Sequence, residues 1–308
     1  MNVSSASDCA EKARFIVTVM SPRLTIAHEK SILSAIAQCD MHHQDQQRVT
    51  PGKCLQFVIS GNSEQAEQLK QSLFQRSDER QVDIVLQTEA DHHHQRRLAV
   101  FDMDSTLIKA EVIDCLAEAA GVGAQVAAIT ERAMGGELDF NESFRHRLSM
   151  LRGLRESVLQ TMAERLPMMD GAETLVSALR THGYKTAIIS GGFTCFARHV
   201  QQKLGIHEVY ANELAITDGK LTGEVKGPII NGQGKAAIVQ SLVDRENLSL
   251  NDVMAVGDGA NDLPMLSKAG LGIAFRAKPL VREQADHAVS AMGLDGLLYI
   301  LGLISSPD

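Results

Sequence analysis

Two carboxylates stand at the end of an apolar segment near the middle of the chain. Leu98–Met103 is predicted to be a short buried strand, and Asp102 and Asp104 lie at its end, in the stretch DMDST that closes at Thr106. Carboxylates at positions i and i+2 can point to one side where a strand runs into a loop. One could then act as a nucleophile and the other as a proton donor. A turn that uses Asp and Ser for local capping is the alternative interpretation.

A serine and two glycines stand at the end of a second predicted strand, Tyr184–Ser190. The residues are Ser190, Gly191 and Gly192. Glycines let the backbone approach an anion closely, and hydroxyl and N–H groups can donate to phosphate oxygens. An ordinary turn from a strand into a helix would use the same residues, so this group alone indicates no particular chemistry.

A lysine and a second acidic group complete the set. Lys235 lies near the start of a predicted helix, where its charge could neutralise a phosphoryl group. Asp258 follows the predicted strand Val253–Gly257 and could hold a hard cation through oxygen ligands. Asp262 comes four residues later and can share a face of a starting helix with it. A capped turn would explain one aspartate but not the whole pattern Gly-Asp-Gly-x-Asn-Asp.

The elements around these residues predict a parallel sheet with helices on both faces. Strands and helices alternate from residue 98 onward, which is typical of an α/β fold. Such sheets hold their sites at the C-terminal ends of the strands, where three of the four groups occur. A long helical region, about 110–181, follows the first strand. An antiparallel excursion is predicted at Glu213–Val225, with its turn at Asp218–Gly219. The predicted strands are Leu98–Met103, Tyr184–Ser190, Glu208–Tyr210, Val253–Gly257 and Gly270–Phe275.

Residues 1–90 predict a separate small α+β domain. No strand can be assigned between Asp40 and Pro51, and the order of the remaining elements permits an ACT-like, ferredoxin-like module without requiring one. The polar segment 91–97 predicts a solvated linker to a second domain at 98–308. Its adjacent histidines lack a fixed geometry for a metal. The predicted elements are the strands Arg14–Met20, Cys54–Ser60 and Val82–Gln87 and the helices Leu24–Cys39 and Ser63–Arg76.

Composition excludes several classes of protein. The chain has 308 residues, of which 44% are hydrophobic, so it can build a real core. Its formal charge of -8 excludes a global basic field for nucleic acid. No apolar stretch approaches the ~20 residues of a membrane span. The chain has five widely spaced cysteines and no CxxC pair, which argues against a disulfide framework. Free thiols are typical of a reducing compartment, so we expect a cytoplasmic protein.

In this order, DxDST, SGG, a lysine and GDGxND resemble the four motifs of the haloacid dehalogenase superfamily. Within it, the chain resembles the phosphoserine phosphatases over roughly 98–301. The resemblance implies a Rossmann-like parallel core with an inserted helical cap at about 110–181. It also implies Mg²⁺-dependent hydrolysis of phosphoserine, the last step of serine biosynthesis. The residues that carry it are Asp102–Thr106, Glu111, Glu131–Met134, Leu138–Phe140 and Arg147.

The resemblance also implies a role for each site residue. Asp102 would be the nucleophile and Asp104 the general acid and base, while Asp262 would support Lys235. Glu111 would meet the ammonium group of serine and Arg147 its carboxylate. The implied metal ligands are Asp102, Asp258 and the backbone carbonyl of Asp104. The implied phosphate-binding residues are Ser190, Gly191, Lys235 and Asn261, and the implied substrate-binding residues are Glu111, Met134, Phe140, Arg147 and Gly192.

Two other functions remain open from the sequence. The chain could act on another small phosphorylated molecule or pass the phosphoryl group to an alcohol. It could also be an amino-acid sensor that uses the N-terminal domain, although a sensor need not retain Asp102, Asp104, Lys235 and Asp258 together. We expect no nucleic-acid or membrane partner, and we leave open a homodimer and an amino-acid effector at residues 1–90.

Overall fold

The computed structural model describes residues 13–134 and 139–304, without the side chains of Ala133 and Met134. Contacts divide the chain into two compact units. The first comprises residues up to 94 together with 289–292 and 296 onward, and the second comprises 95–288 and 293–295.

The first unit contains a four-stranded antiparallel sheet in the order β2-β3-β1-β4. Helices α1 and α2 pack on one face of it, where Val17, Phe57 and Leu69 are fully buried. This is the βαββαβ order of ferredoxin-like folds. The elements are β1 (Ala13–Met20), α1 (Ile26–Gln38), β2 (His42–Thr50), β3 (Cys54–Gly61), α2 (Ser63–Arg80) and β4 (Asp83–Thr88).

Strand β2 is the element that we could not assign from the sequence. Its residues, HHQDQQRVT, are polar and mostly exposed. The strand lies at the edge of the sheet and pairs with β3 alone among the described strands. An edge strand of this kind shows no alternation of buried and exposed residues, so its pattern resembles that of a loop.

The segment predicted as a solvated linker is partly helical and partly buried, which corrects that prediction. A short helix, α3 (Glu89–His93), begins where the Thr88 side chain accepts a hydrogen bond from the backbone N–H of Asp91. His92 is 5% exposed, with its Nδ1 3.3 Å from Oε1 of Gln87, and Arg96 is 2% exposed. The polar sequence of this segment predicted exposed side chains, but His92 and Arg96 are buried.

The second unit contains a seven-stranded sheet in the order β11-β10-β9-β5-β6-β7-β8. Strands β10, β9, β5, β6 and β7 are parallel, and β8 is antiparallel to β7. The predicted α/β class with a parallel-rich sheet is therefore confirmed. The strands are β5 (Leu98–Phe101), β6 (Lys185–Phe193), β7 (Glu208–Thr217), β8 (Lys220–Lys226), β9 (Val253–Gly257), β10 (Leu271–Phe275) and β11 (His287–Val289).

Every residue of β5, β9 and β10 is buried, as expected for strands covered on both faces. The predicted excursion is the β7–β8 hairpin, whose turn residues Asp218 and Gly219 have φ values of 51° and 69°. Positive φ at both positions matches the twist of a two-residue hairpin. The hairpin prediction is confirmed.

In the part of the chain that the structure describes, five helices lie between β5 and β6, in the region predicted as a cap at about 110–181. The last of them, α8, packs against β6 with Leu175, Val176 and Leu179 buried. It therefore belongs to the layer on the sheet, and the predicted region extends one helix too far. The helices of this unit are α4 (Val112–Ala119), α5 (Gly123–Met134), α6 (Phe140–Ser149), α7 (Ser157–Ala163), α8 (Ala172–Thr181), α9 (Thr194–Leu204), α10 (Gly232–Glu246), α11 (Leu263–Leu266) and α12 (Pro279–Gln284).

The end of the described chain returns to the first unit. Its last helix, α13 (Leu297–Ile300), is buried throughout, and the carbonyl of Tyr299 accepts a hydrogen bond of 3.3 Å from the Gln56 side chain. Among the described residues we find no helix with the length and apolar character needed to span a bilayer.

Asp83 fixes this returning segment. Its carboxylate, 2% exposed, accepts hydrogen bonds of 2.6–3.1 Å from the backbone N–H groups of Ser290, Ala291 and Met292. We expect Asp83→Ala to lower the free energy of unfolding by roughly 2–4 kcal/mol, because three N–H groups, of which that of Met292 is buried, lose a charged acceptor. Urea denaturation measures the change. Asp45→Ala, which removes an exposed carboxylate, is the control, and equal stability of the two variants would contradict the anchoring role.

Candidate active site

Three of the predicted site residues stand at the C-terminal ends of three neighbouring strands. Strand β5 lies between β6 and β9 in the sheet, and all three are parallel. Asp102 follows β5 directly, Ser190 lies near the end of β6, and Asp258 follows β9. The backbone N–H of Asp102 donates to the carbonyl of Val256 at 2.9 Å, which continues the pairing of β5 with β9 into the site.

Lys235 lies at the centre of the group. Its Nζ is 2.7 Å from Oδ2 of Asp102 and 2.6 Å from Oδ1 of Asp262, and its side chain is fully buried. Helix α10 presents it from its first turn, and the helix begins at Asn231, whose side-chain oxygen accepts from the N–H of Gly234. A buried lysine held between two carboxylates is a fixed positive charge.

Burial and charge act in opposite directions on this lysine and its partners. Burial alone would lower the pKa of Lys235, but Asp102 and Asp262 outweigh burial and raise that pKa above its ordinary value. Lys235 therefore stays protonated. Burial, followed by repulsion from Asp262, raises the pKa of Asp102 to about 8, although Lys235 acts in the other direction. The site holds more carboxylate charge than one lysine offsets.

Asp258 adds to this excess. Burial, then Asp262 and Glu111, raises its pKa to about 7. One oxygen each from Asp102, Asp258 and Asp262 lie within 4.8 Å of one another, the one such group of three that the described residues form. Three clustered carboxylate oxygens, two of them on groups with raised pKa values, Asp102 and Asp258, fit a divalent cation, which would offset their repulsion and take oxygen ligands.

The oxygens of Asp262 already have partners. Oδ1 accepts from Lys235, and Oδ2 accepts from the backbone N–H groups of Asp258 and Gly259 at 3.1 and 2.9 Å. Asp262 thus ties Lys235 to the loop that carries Asp258. The carboxylate of Asp262 accepts three hydrogen bonds, whereas those of Asp102 and Asp258 accept fewer and keep more lone pairs for a cation.

Ser190 and Gly192 lie against Asp104. The backbone N–H of Gly192 donates to Oγ of Ser190 at 2.9 Å. A Cβ atom on Gly192 would lie 2.6 Å from Oδ2 of Asp104 and 3.1 Å from that Oγ, so only a glycine allows this approach. Burial, then Glu111 and Asp102, raises the pKa of Asp104 well above its ordinary value. That direction favours the protonated acid.

Gly191 brings two further predicted residues to the same place. A Cβ atom there would lie 3.5 Å from Cζ of Phe140 and 3.9 Å from Nδ2 of Asn261. The Phe140 ring stacks on that of Phe144, which in turn packs against Phe193. Stacked aromatic rings therefore connect Phe140, the first residue of α6, to Phe193 at the end of β6.

Glu111 and Arg147 lie near each other at the edge of the group. Oε1 of Glu111 accepts a hydrogen bond of 2.6 Å from Ser105. Burial lowers the pKa of Arg147, while Asp114 and Glu111 act to raise it. The predicted contact residue Met134 ends α5, and its side chain lies outside the described residues.

Three positioning residues were missed by the sequence analysis. Oγ1 of Thr106 donates to Asp258 at 3.1 Å. The buried Asn212 side chain donates to the carbonyl of Gly191 and accepts from the N–H of Ile230, joining two loops of the site. Asn231 begins α10, and an Asn before a helical pattern is a signal that could have identified it. Asn212 lies inside a strand, where no local pattern marks it.

Comparisons with known proteins identify relatives of the chain. A family model described as haloacid dehalogenase-like hydrolase matches residues 99–267. The phosphoserine phosphatase of Archaeoglobus fulgidus is 42% identical over 249 residues, covering 81% of this chain and 72% of that protein. The solved structure of a probable phosphoserine phosphatase from Vibrio cholerae is 36% identical, with a TM-score of 0.74, over 95% of this chain and 87% of that one.

A further solved structure is described as a phospho-aspartyl intermediate analogue of phosphoserine phosphatase. It is 41% identical, with a TM-score of 0.60, and covers 64% of this chain and 94% of its own. The family match spans more than half of the chain, and the relative from Archaeoglobus is covered over more than two thirds of its length. The chain belongs to the phosphoserine phosphatase family of the haloacid dehalogenase-like hydrolases.

Proposed function

We propose that this chain hydrolyses O-phospho-L-serine to L-serine and phosphate, the last step of serine biosynthesis. One observation carries the proposal: Lys235 is fully buried between Asp102 and Asp262, beside Asp258, at the ends of three parallel strands. This arrangement gives a carboxylate nucleophile and the positive charge that a phosphate ester requires. The family membership of the chain supports the choice of substrate.

Charge explains why the group is built in this way. A phosphate monoester is a dianion near neutral pH, since its second pKa is about 6. Each unit-charge pair with an attacking carboxylate, at 4 Å and an effective dielectric constant of 20, costs roughly 4 kcal/mol. Lys235 offsets part of this repulsion. A divalent cation, which we propose to be Mg²⁺, would supply the remaining positive charge when bound by Asp102, Asp258 and the backbone carbonyl of Asp104.

In the first step, an oxygen of Asp102 attacks phosphorus and the bond from phosphorus to the serine oxygen breaks. Asp104 gives its proton to that oxygen, so serine leaves as an alcohol. In the second step, Asp104 takes a proton from water, and the water oxygen attacks the aspartyl-phosphate. Phosphate is released, and both side chains return to their starting states.

We propose that Ser190, Gly191, Lys235 and Asn261 hold the phosphoryl oxygens. Ser190 and Lys235 are fully buried, and Asn261 lies beside Gly191. Gly192 keeps the space between Ser190 and Asp104 free for the substrate oxygen.

For serine itself, we propose that Glu111 meets the ammonium group and Arg147 the carboxylate, with Phe140 and Met134 on the apolar side. Helices α4 to α7 would form the cap that covers the bound substrate and excludes water. Phe140 and Arg147 both belong to α6, so this helix would carry much of the selectivity.

The ferredoxin-like order of the first unit supports the proposal of an ACT-like domain at residues 1–90. Such a domain would serve as a site for an amino-acid effector or for contact between two copies of the chain. We place the enzyme in the cytoplasm. Its widely spaced cysteines include no CxxC pair, and thiols stay reduced in that compartment.

The first test is phosphate release in the presence of Mg²⁺ from a panel of phosphorylated small molecules, with analysis of both products. We expect phosphoserine to be the preferred substrate and serine and phosphate to be the products. Preference for another phosphate ester, or transfer of the phosphoryl group to an added alcohol, would contradict the proposal.

Arg147→Ala tests whether the enzyme recognises the carboxylate of phosphoserine. A bidentate pair between arginine and a carboxylate is directional, and charged hydrogen bonds contribute roughly 1.5–3 kcal/mol each. We expect kcat/KM for phosphoserine to fall at least tenfold, since about 1.4 kcal/mol is a factor of ten. Phosphoethanolamine lacks the carboxylate, so its kcat/KM should change far less. An unchanged ratio of the two values would show that Arg147 does not bind the carboxylate.

A further inference from the structure

The β7–β8 hairpin extends beyond the parallel sheet and pairs with the segment that connects α6 to α7. The N–H of Gly153 donates to the carbonyl of Leu221 at 2.8 Å, and the N–H of Leu221 donates to the carbonyl of Leu154 at 2.9 Å. The N–H of Glu156 donates to the carbonyl of Gly219 at 2.9 Å. Three backbone hydrogen bonds therefore fix the C-terminal side of α6 to the hairpin.

Gly223 brings the hairpin against α6 itself. Its φ is +80°, and a Cβ atom there would lie 3.1 Å from Cα and 3.2 Å from the carbonyl oxygen of Ser149, the last residue of α6. It would also lie 3.3 Å from Cβ of Arg152. Two of these three atoms are backbone, so a larger residue would have to move the helix end or the strand.

Helix α6 transmits this contact to the site. Its ten residues form a rod, and Phe144 and Leu148 bury one side of it. Phe140 at one end faces Gly191, whereas Ser149 at the other end faces Gly223. Arg147 lies one half-turn before Ser149. A displacement at Gly223 therefore shifts Phe140 and Arg147, the two residues of α6 that we propose to contact serine.

We propose that the β7–β8 hairpin, through Gly223 and the hydrogen bond from Glu156, positions α6 and so sets the selectivity for the amino-acid part of the substrate. Gly223 is a positioning residue, remote from the phosphoryl group. Asp102, Asp104 and Lys235 lie on other elements than α6. This inference rests on the proposed function, because the residues that it positions are those proposed for serine.

Gly223→Ala tests the inference against two substrates. A substitution that raises KM and leaves kcat unchanged has weakened binding that the ground state and the transition state share. We expect KM for phosphoserine to rise about tenfold with kcat little changed, and kcat/KM for p-nitrophenyl phosphate, which has no amino-acid part, to stay within about twofold. Gly183→Ala is the matched control: Gly183 has a positive φ of +77°, a Cβ atom there meets nothing within 4 Å, and the residue lies outside the hairpin.

Glu156→Pro keeps the test decisive if Gly223→Ala does not fold. Glu156 has φ -56°, which proline adopts, and the substitution removes the N–H that bonds to Gly219. Glu156→Ala loses the same exposed side chain but keeps the N–H. We expect the proline variant to raise KM for phosphoserine and to speed hydrogen exchange in α6, and the alanine variant to do neither.

Equal losses on both substrates, or an unchanged phosphoserine KM in folded variants, would overturn the positioning role. Failure of the proposed function would look different, since the unsubstituted chain would then fail to prefer phosphoserine. In that case faster exchange in α6 of Glu156→Pro, with no change in Glu156→Ala, still supports the mechanical link, and its absence refutes it.

Discussion

Asp102→Asn is expected to abolish phosphate release from every substrate while the chain stays folded. An amide is a far weaker nucleophile toward phosphorus than a carboxylate, and it offers a cation no negative charge. Mutation of a covalent nucleophile removes the reaction path itself, so we expect a loss of at least about a thousandfold. The measurement is steady-state phosphate release, together with retention of radiolabelled phosphate on protein that is quenched during turnover.

Stability separates loss of chemistry from loss of fold. Burial raises the pKa of Asp102 from 3.8 to about 8. An acid with a raised folded-state pKa binds more protons folded than unfolded, so its charging lowers stability as pH rises from about 4 to 8. The amide that replaces this carboxyl group cannot ionise, so without added metal the Asp102→Asn chain should melt no lower than the unsubstituted chain at pH 8.

Asp244→Asn changes an exposed carboxylate of α10 and serves as the control for both measurements. A folded Asp102→Asn chain with near-normal phosphate release would contradict the nucleophile. A much lower melting temperature would show instead that the carboxylate serves chiefly as the structural partner of Lys235.

The strand-end residues could be predicted because their context is local. Apolar runs that end in Asp or Ser mark buried parallel strands whose ends must meet, and the structure brings Asp102, Ser190 and Asp258 to one edge of the sheet. Lys235 follows an Asn that begins its helix. Each of these signals lies within a few residues of the side chain concerned.

Residues whose partners are distant in sequence could not be predicted in this way. Asn212 links Gly191 to Ile230, and Asp83 bonds to N–H groups more than 200 residues away. Strand β2 carries no apolar alternation because it lies at an edge. The burial of His92 depends on packing that polarity does not indicate. Pattern analysis detects periodicity and capping, but not these long-range contacts.

Asp104→Asn should slow phosphorylation by a substrate with a poor leaving group more than by one with a good leaving group. The alkoxide of serine is a poor leaving group and needs a proton, whereas a nitrophenolate leaves without one. General acids contribute about a hundredfold to ten-thousandfold. We therefore expect single-turnover phosphorylation of Asp102 by phosphoserine to slow at least about a hundredfold, and phosphorylation by p-nitrophenyl phosphate to slow far less.

The structure makes this comparison a clean one. Asn keeps the shape of Asp104 and its backbone carbonyl, so the proposed cation ligand remains. The Asp104 side chain accepts from the N–H of Val112 at 3.2 Å, and an asparagine oxygen can accept the same bond. What the substitution removes is the proton that burial and the neighbouring Glu111 and Asp102 keep on the acid by raising its pKa.

The later step provides an internal check on the same residue. Both substrates form the same aspartyl-phosphate, so its hydrolysis should slow equally after phosphorylation by either one, because water then lacks the base that takes its proton. Single-turnover phosphorylation and dephosphorylation must therefore be measured separately. Equal slowing of phosphorylation on the two substrates would argue against Asp104 as the general acid. An unchanged rate of dephosphorylation would argue against it as the base, and another group near Ser190 and Gly192 would then have to take the proton from water.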